Sequence, residues 1–170
     1  MRNCFFRTLL SLSVLLLCLP ATAQTSYKIS SVFDNPFIGI WELDLSKSDF
    51  GSTSAPQRMT RTYEDRGDGT FMYLIDSVSA DGSSGDSSAV YKYDGLEYPL
   101  ISLNQDSPVT ISYRKINERT VEYTVRINGN ITQIGAKSIS SNGNILSIGV
   151  QSTDAQGDPL PQVLIFNKRR

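Results

Sequence analysis

From Ile38 onward, apolar and polar residues alternate with a period of two, and turn-forming residues interrupt the pattern every eight to twelve residues. The run 121–127 is typical, with Val121, Tyr123, Val125 and Ile127 alternating with polar residues. Successive side chains of a β-strand point to opposite faces, so these runs predict half-buried strands. An amphipathic helix of ordinary length is not predicted anywhere. The pattern therefore predicts an all-β domain.

The predicted turns contain residues that tolerate a positive φ. They are Gly67-Asp68-Gly69, Asp94-Gly95, Asn128-Gly129 and Asn142-Gly143. Tight hairpin turns require such residues, so adjacent strands should be antiparallel neighbours. The alternation then predicts ten strands, at 38–45, 57–65, 70–79, 87–94, 97–102, 108–116, 120–127, 130–139, 144–153 and 160–168.

Ten strands linked by hairpins expose two sheet edges unless the sheet closes, so an antiparallel up-and-down β-barrel is expected. Successive connections of such a barrel alternate between its two ends. One end would receive the segments 46–56, 80–86, 103–107, 128–129 and 154–159. The other would receive the shorter turns 66–69, 95–96, 117–119 and 140–143. Small barrels that hold ligands open at one end, and the loop-rich end is the expected mouth.

The first residues have the pattern of a secretory signal peptide. Arg2 and Arg7 precede an apolar run over 9–19, and Ala21-Thr22-Ala23 forms a small-residue cleavage site. The apolar run is shorter than the roughly 20 residues that span a bilayer, so stable membrane insertion after cleavage is not expected. We expect a signal peptide at 1–23, a leader segment at 24–37, one barrel domain at 38–170, and export to the periplasm or the extracellular space.

Composition excludes several functions. Sixteen basic and 17 acidic residues give a net charge of −1, without the basic field that nucleic-acid binding needs. Histidine is absent, and both cysteines, Cys4 and Cys18, lie in the predicted signal peptide. The common general base and the common metal ligands are therefore missing, and we expect no metal, no cofactor and no enzymatic activity. A carboxylate-dependent hydrolase or isomerase is the alternative, although no acidic pair stands out.

The motif Gly39-Ile40-Trp41 resembles the Gly-x-Trp signature of lipocalins and related calycin barrels. The segments 43–48, 62–65 and 93–95 also resemble small secreted bacterial lipocalin-like proteins of undefined function. The resemblance implies that Gly39 and Trp41 plug the closed barrel end and that a basic residue near the last strand, here Arg169, packs across the tryptophan. Lipocalins have eight strands and fatty-acid-binding proteins ten, so a barrel of about 8–10 strands is expected.

Arg61 and five tyrosines are the candidate ligand contacts. If the face of the second strand that carries Arg61 points inward, its charge requires an anionic partner, which a ligand carboxylate could supply. The alternative is that Arg61 points to solvent. Tyrosines on several strands could line a pocket with aromatic faces and hydroxyl tips, or could form ordinary cross-strand pairs. These tyrosines are Tyr73, Tyr91, Tyr93, Tyr113 and Tyr123.

The expected function is to bind or carry a small hydrophobic or amphipathic molecule inside the barrel. The alternative is a protein-binding or inhibitor module that contacts a partner through the acidic loops 46–56, 80–86 and 154–159. Six aspartates would lie at the loop-rich end, and turn formation explains them better than calcium binding does. They are Asp49, Asp81, Asp86, Asp106, Asp154 and Asp158.

Overall fold

A computed structural model describes residues 35–103, 105–154 and 156–170. The predicted signal peptide 1–23 and most of the predicted leader 24–37 lie outside these residues. In the described part, no helix is long and apolar enough to cross a membrane. The strands are β1 (Gly39–Leu43), β2 (Arg58–Gly67), β3 (Thr70–Val78), β4 (Ser84–Tyr91), β5 (Asp94–Ser102), β6 (Val109–Asn117), β7 (Thr120–Ile127), β8 (Asn130–Ile139), β9 (Ile145–Thr153) and β10 (Pro159–Lys168).

Every strand pairs antiparallel with the next, and β1 also pairs with β10, so the sheet closes into a ten-stranded barrel. The predicted fold class is confirmed, with ten as the strand number. Closure removes the free edges that a ten-stranded sheet would otherwise expose. The longer connections 44–57, 79–83, 103–108 and 154–158 share one end with the turn at 128–129. The barrel therefore has a loop-rich end and a short-turn end, as the turn pattern predicts.

Local turn chemistry explains most of the hairpins. Asn128 and Gly129 have φ of 51° and 80°, so both adopt the left-handed conformation that a two-residue hairpin turn requires. The predicted turn at Asp94-Gly95 agrees with the β4–β5 register, because Ala89 pairs with Leu100 and the chain therefore reverses between residues 94 and 95. Gly95 has a φ of 81°, and Oδ1 of Asp94 accepts a 3.0 Å hydrogen bond from the amide of Leu96. β5 is already counted from Asp94 because Asp94 pairs with Arg114 of β6, where the β5–β6 register shifts.

Trp41 forms the core of the short-turn end. Its side chain is fully buried, and its Nε1 donates a 2.8 Å hydrogen bond to the carbonyl oxygen of Phe37. Lys168 lies opposite Trp41 in the β1–β10 register, with its Nζ 5.1 Å from the centroid of the indole ring. A Cβ on Gly39, whose φ is +132°, would lie 2.8 Å from Cε of Lys168, so a side chain there would displace this lysine.

The basic residue over Trp41 is therefore Lys168 and not Arg169. Arg169 is one position further along the chain, so its side chain points to the other face of the sheet. There it forms an ion pair with Glu42, and both side chains are about half exposed. The resemblance implies a basic residue near the end of the last strand, and only the register between β1 and β10 selects which one it is.

Candidate functional site

The barrel interior is filled with side chains towards one end and hollow towards the other. Towards the short-turn end, aromatic and aliphatic side chains pack around Trp41. Towards the loop-rich end lies a cavity of about 270 Å³. Its wall includes Ser102 at the end of β5, Gln105 in the following connection and Ile127 at the end of β7. This volume is at the small end of the range for ligand pockets.

Arg61 lies on the inward face of β2 and lines this cavity. It pairs in register with Trp41 on one side and Ile75 on the other, both of which point into the barrel. The side chain is half-buried, and its Nε is fully buried without a hydrogen-bond partner. Its guanidinium carbon lies 5.4 Å from the centroid of the Phe166 ring. A guanidinium stays charged at any pH at which the protein is folded, so Arg61 places a positive charge on the cavity wall.

Lys137 on β8 is a second basic group in the interior, and the sequence pattern does not single it out. Its side chain is 1% exposed, it lines the cavity, and its Nζ has no hydrogen-bond partner. The only sign in the sequence that Lys137 faces inward is that it lies two residues before the apolar Ile139, on the same strand face. Ile134 and Ala136 lie on the other face. Because both faces of 130–139 contain apolar residues, the inward face cannot be read from the sequence.

Aromatic rings surround the amine of Lys137. Its Nζ lies 4.3 Å from the ring centroids of both Tyr63 and Tyr113, and within 6 Å of those of Phe37, Tyr91 and Tyr93. Ring faces attract an ammonium but do not replace its hydration shell. Burial, and secondly the positive charge of Arg61, hold the pKa of Lys137 well below its ordinary value.

Neither Arg61 nor Lys137 has an acidic partner. None of the ion pairs found among the described residues includes Arg61 or Lys137. The cavity wall, over the same part of the chain, contains no aspartate or glutamate. Buried charges in proteins are ordinarily paired with an opposite charge or with hydrogen-bonding groups. Arg61 therefore gives the cavity wall an unpaired positive charge that can accept an anion.

The predicted tyrosines form one continuous cluster, of which only part faces the cavity. Tyr73, Tyr113 and Tyr123 lie on the cavity wall, whereas Tyr91 and Tyr93 pack in the filled part of the barrel. The ring centroids of Tyr91 and Tyr113 are 4.2 Å apart. Burial raises the pKa of all five phenols, so they remain neutral at physiological pH and supply no negative charge. Ligand contact by these tyrosines and Arg61 stays a prediction.

Tyr123 is held in place by two neighbours on β8. The Nε2 of Gln133 donates a 2.9 Å hydrogen bond to its hydroxyl. Gly135 lies opposite Tyr123 in the β7–β8 register, and a Cβ there would be 2.6 Å from both Cζ and Oη of Tyr123. The same Cβ would be 2.3 Å from the carbonyl oxygen of Gly149. The absence of a side chain at 135 therefore gives the tyrosine ring its position in the cavity wall.

We expect Gly135→Ala to lower the free energy of unfolding by about 1–3 kcal/mol, because the backbone oxygen of Gly149 cannot move away cheaply. Gly149→Ala is the matched control, because its Cβ would have its nearest contact at 3.9 Å, an ordinary van der Waals distance. Urea denaturation followed by circular dichroism measures both changes. Equal stability of the two variants would contradict the tight contact at Gly135.

Lys137→Met should raise the free energy of unfolding by about 1 kcal/mol or more at neutral pH, because an apolar side chain replaces an unpaired buried amine. The pKa of Lys137 is lower in the folded state than its ordinary 10.5. Between these two values the unfolded state binds more protons, so the stability of the wild type rises with pH. The advantage of the variant should therefore shrink as the pH approaches about 10.5.

Urea unfolding of both proteins across the range from about pH 6 to pH 9 tests this difference. Ionisation of the tyrosines changes the stability of both proteins alike and cancels in the comparison. A variant that is less stable than the wild type at neutral pH would contradict the description of the Lys137 amine as buried and unpaired.

The aspartates of the loop-rich end act as turn residues. Carboxylate oxygens of Asp49, Asp81 and Asp154 accept hydrogen bonds from backbone amides two residues ahead. In the described ranges, no cluster of three or more acidic side chains could hold a metal ion. Contact of the loops 46–56, 80–86 and 154–159 with a protein partner stays a prediction.

Comparison with known proteins supports the barrel architecture. No protein-family model matches the sequence, and no curated protein matches it significantly. Among solved structures, the barrel is similar to a mutant of the fluorescent protein UnaG, with a TM-score of 0.58 and 14% identity over 79% of this chain and 97% of that one. Rv2717c from M. tuberculosis is similar with a TM-score of 0.53 and 13% identity, over 79% and 94% of the two chains. At such identities the likeness shows a calycin-like fold and nothing further.

Proposed function

We propose that the protein binds a small amphipathic molecule with an anionic head inside the barrel. The observation that carries this proposal is the unpaired guanidinium of Arg61, with the partnerless Lys137 amine on the same wall, beside a cavity of about 270 Å³ whose described wall has no acidic residue. The anionic head would pair with Arg61. The apolar part would lie against wall residues such as Ile75, Leu100 and Val109.

The energetics favour an anion over a neutral ligand. Leaving a buried charge unpaired is costly, so an anion that pairs with Arg61 removes a penalty that the empty barrel bears. Charge-assisted hydrogen bonds are about twice as strong as neutral ones, and a guanidinium can hold a carboxylate or sulfonate through two of them. The hydroxyls of Tyr73 and Ser87, also on the wall, can donate additional hydrogen bonds.

The cavity volume restricts the ligand to a small molecule. Ligand pockets commonly measure about 300–1,000 Å³, so a cavity near the lower limit suits a molecule of up to about three rings or a short chain. Aromatic side chains, including Tyr113 and Tyr123, form part of its wall and favour a planar ligand.

Two fluorescent probes of nearly the same shape test the proposal. Anilinonaphthalene sulfonate carries a sulfonate, and N-phenylnaphthylamine is its neutral counterpart. We expect the anionic probe to bind about tenfold more tightly or better, which corresponds to one charge-assisted hydrogen bond. Native mass spectrometry of protein isolated without refolding should show a bound small molecule that is lost on denaturation. Equal binding of the two probes, or no binding of either with no bound mass, would refute the proposal.

We also propose that the chain is exported and that residues 1–23 are removed. The support is the basic start, the short apolar run and the small-residue site that ends at Ala23. When the full chain is expressed in a host that secretes proteins, the recovered protein should begin at Gln24. A first residue of Met1, with the protein retained in the cytoplasm, would overturn this proposal.

A further inference from the structure

Three buried side-chain atoms in the described part of the chain have no hydrogen-bond partner, and they belong to one region of the barrel interior. They are Nε of Arg61, the hydroxyl of Tyr63 and Nζ of Lys137. Arg61 and Tyr63 lie two residues apart on the inward face of β2, and the Lys137 amine lies 4.3 Å from the centroid of the Tyr63 ring. Native proteins rarely leave such atoms unpaired, so a group of unpaired atoms in one place needs an explanation.

All three atoms can act as donors, so the group that is missing is an acceptor. The Arg61 guanidinium has N–H donors only, and the Tyr63 hydroxyl can donate one hydrogen bond. The groups that face the Lys137 amine are five rings, those of Phe37 before β1, Tyr63 on β2, Tyr91 on β4, Tyr93 just after β4 and Tyr113 on β6. Ring faces do not accept strong hydrogen bonds.

The amine of Lys137 is a nucleophile that only a small electrophile can reach. Burial and the charge of Arg61 lower its pKa, so a larger share of this amine carries a free lone pair than in an exposed lysine. The Nζ atom is enclosed by rings, while the Lys137 side chain borders the cavity. A triatomic, apolar electrophile needs only a small displacement of these rings to reach the amine, whereas a bulky one needs a large displacement.

We propose that the Nζ of Lys137 reacts reversibly with carbon dioxide to form a carbamate, and that Arg61 and Tyr63 hold this carbamate in the barrel interior. The nitrogen lone pair forms a bond to the carbon of carbon dioxide, and one C=O π bond becomes a lone pair on oxygen. The nitrogen then loses one proton to water. The balance is one amine plus one carbon dioxide giving one carbamate anion and one proton, and no oxidant or metal takes part.

The carbamate supplies a negative charge and hydrogen-bond acceptors to Arg61 and Tyr63. A carbamate carries one negative charge, which pairs with the permanent positive charge of Arg61. Its two oxygens are acceptors for the Nε–H of Arg61 and for the hydroxyl of Tyr63. The modification therefore gives acceptors to two of the three unpaired atoms, and the third, Nζ of Lys137, becomes the uncharged carbamate nitrogen.

The reaction goes beyond the proposed binding function, because it needs no ligand, but both use Arg61. The carbamate and the anionic head of a ligand would compete for the same guanidinium. Carbon dioxide should therefore weaken binding of the anionic probe to the wild type, and should do so less in Lys137→Met. Bicarbonate that competes directly as an ion would weaken binding equally in both proteins.

Chemical trapping tests the proposal directly. The full chain is equilibrated with ¹³C-labelled carbon dioxide and bicarbonate, and triethyloxonium ion then converts any carbamate into a stable ethyl ester. Peptide mass spectrometry should find the labelled ethoxycarbonyl group on Lys137, and ¹³C NMR before trapping should show a carbamate resonance that is absent from Lys137→Met. Arg61→Met should reduce the modification about tenfold or more, because the counter-charge is lost.

Lys92→Met and Lys115→Met are the matched controls. Both lysines are exposed, so these variants should retain the modification at position 137. Trapped label on exposed lysines or the N-terminus but not on Lys137 would overturn the proposal. Probe binding that depends on Arg61 without label on Lys137 would overturn the carbamate alone. Label on Lys137, together with equal binding of the two probes in buffer free of carbon dioxide, would overturn the binding function alone.

Discussion

Arg61→Met should weaken binding of anilinonaphthalene sulfonate by about tenfold to a hundredfold, because the anionic head loses its charge-assisted hydrogen bonds. Binding of the neutral N-phenylnaphthylamine should change little, since it makes no use of the guanidinium. Fluorescence titration of both probes measures these changes. Stability should not fall, because methionine replaces a partly buried, unpaired charge with an apolar side chain.

Arg114→Met is the control for a general loss of positive charge. Arg114 lies on the outer face of β6, where it pairs with Glu122 and is 70% exposed. Its removal changes the net charge by the same amount as removal of Arg61, but it leaves the cavity wall intact. If both variants weakened the anionic probe equally, the effect would be one of long-range charge, and the assignment of Arg61 to the ligand site would be wrong.

Trp41→Ala should lower the free energy of unfolding by about 3–5 kcal/mol, because a fully buried indole leaves a cavity at the short-turn end. It also leaves the Phe37 carbonyl oxygen without its 2.8 Å hydrogen bond. Urea denaturation followed by far-ultraviolet circular dichroism is the suitable measurement. Tryptophan fluorescence is unsuitable because the chain has a single tryptophan.

Two further substitutions serve as comparisons for Trp41→Ala. Trp41→Phe keeps an aromatic ring but removes the donor, so its cost should be smaller than that of alanine. Glu42→Ala changes the adjacent outward residue, whose carboxylate pairs with Arg169 on the surface. An exposed ion pair contributes little, so this loss should stay below about 1 kcal/mol. A Trp41→Ala protein as stable as Glu42→Ala would show that the tryptophan is not part of the core.

Much of the fold follows from the sequence because its signals are local. A period of two reports which residues share a strand face, and Asn128-Gly129 can adopt the positive φ that a two-residue hairpin turn needs. These signals place the ten strands and predict the closed barrel. The turn after β4 follows the same local chemistry, with Gly95 at a φ of 81° and Asp94 accepting a hydrogen bond from the amide of Leu96.

The candidate site is only partly visible in the sequence. Arg61 and the tyrosines stand out as residue types. The alternation along a strand, however, shows only which residues share a face, and not which face points into the barrel. Lys137 is hidden because apolar residues occur on both faces of β8. Likewise, the register between β1 and β10 places Lys168, and not Arg169, over Trp41.

The sequence by itself therefore determines the class of fold, the strands and most of their turns, because backbone preference and alternation act between neighbouring residues. The tertiary structure decides that the amine of Lys137 lies 4.3 Å from the ring of Tyr63, a residue 74 positions earlier in the chain, and that Arg61 faces the same interior. Barrel closure and strand register bring these residues together. Both depend on the packing of all ten strands at once, which no local pattern contains.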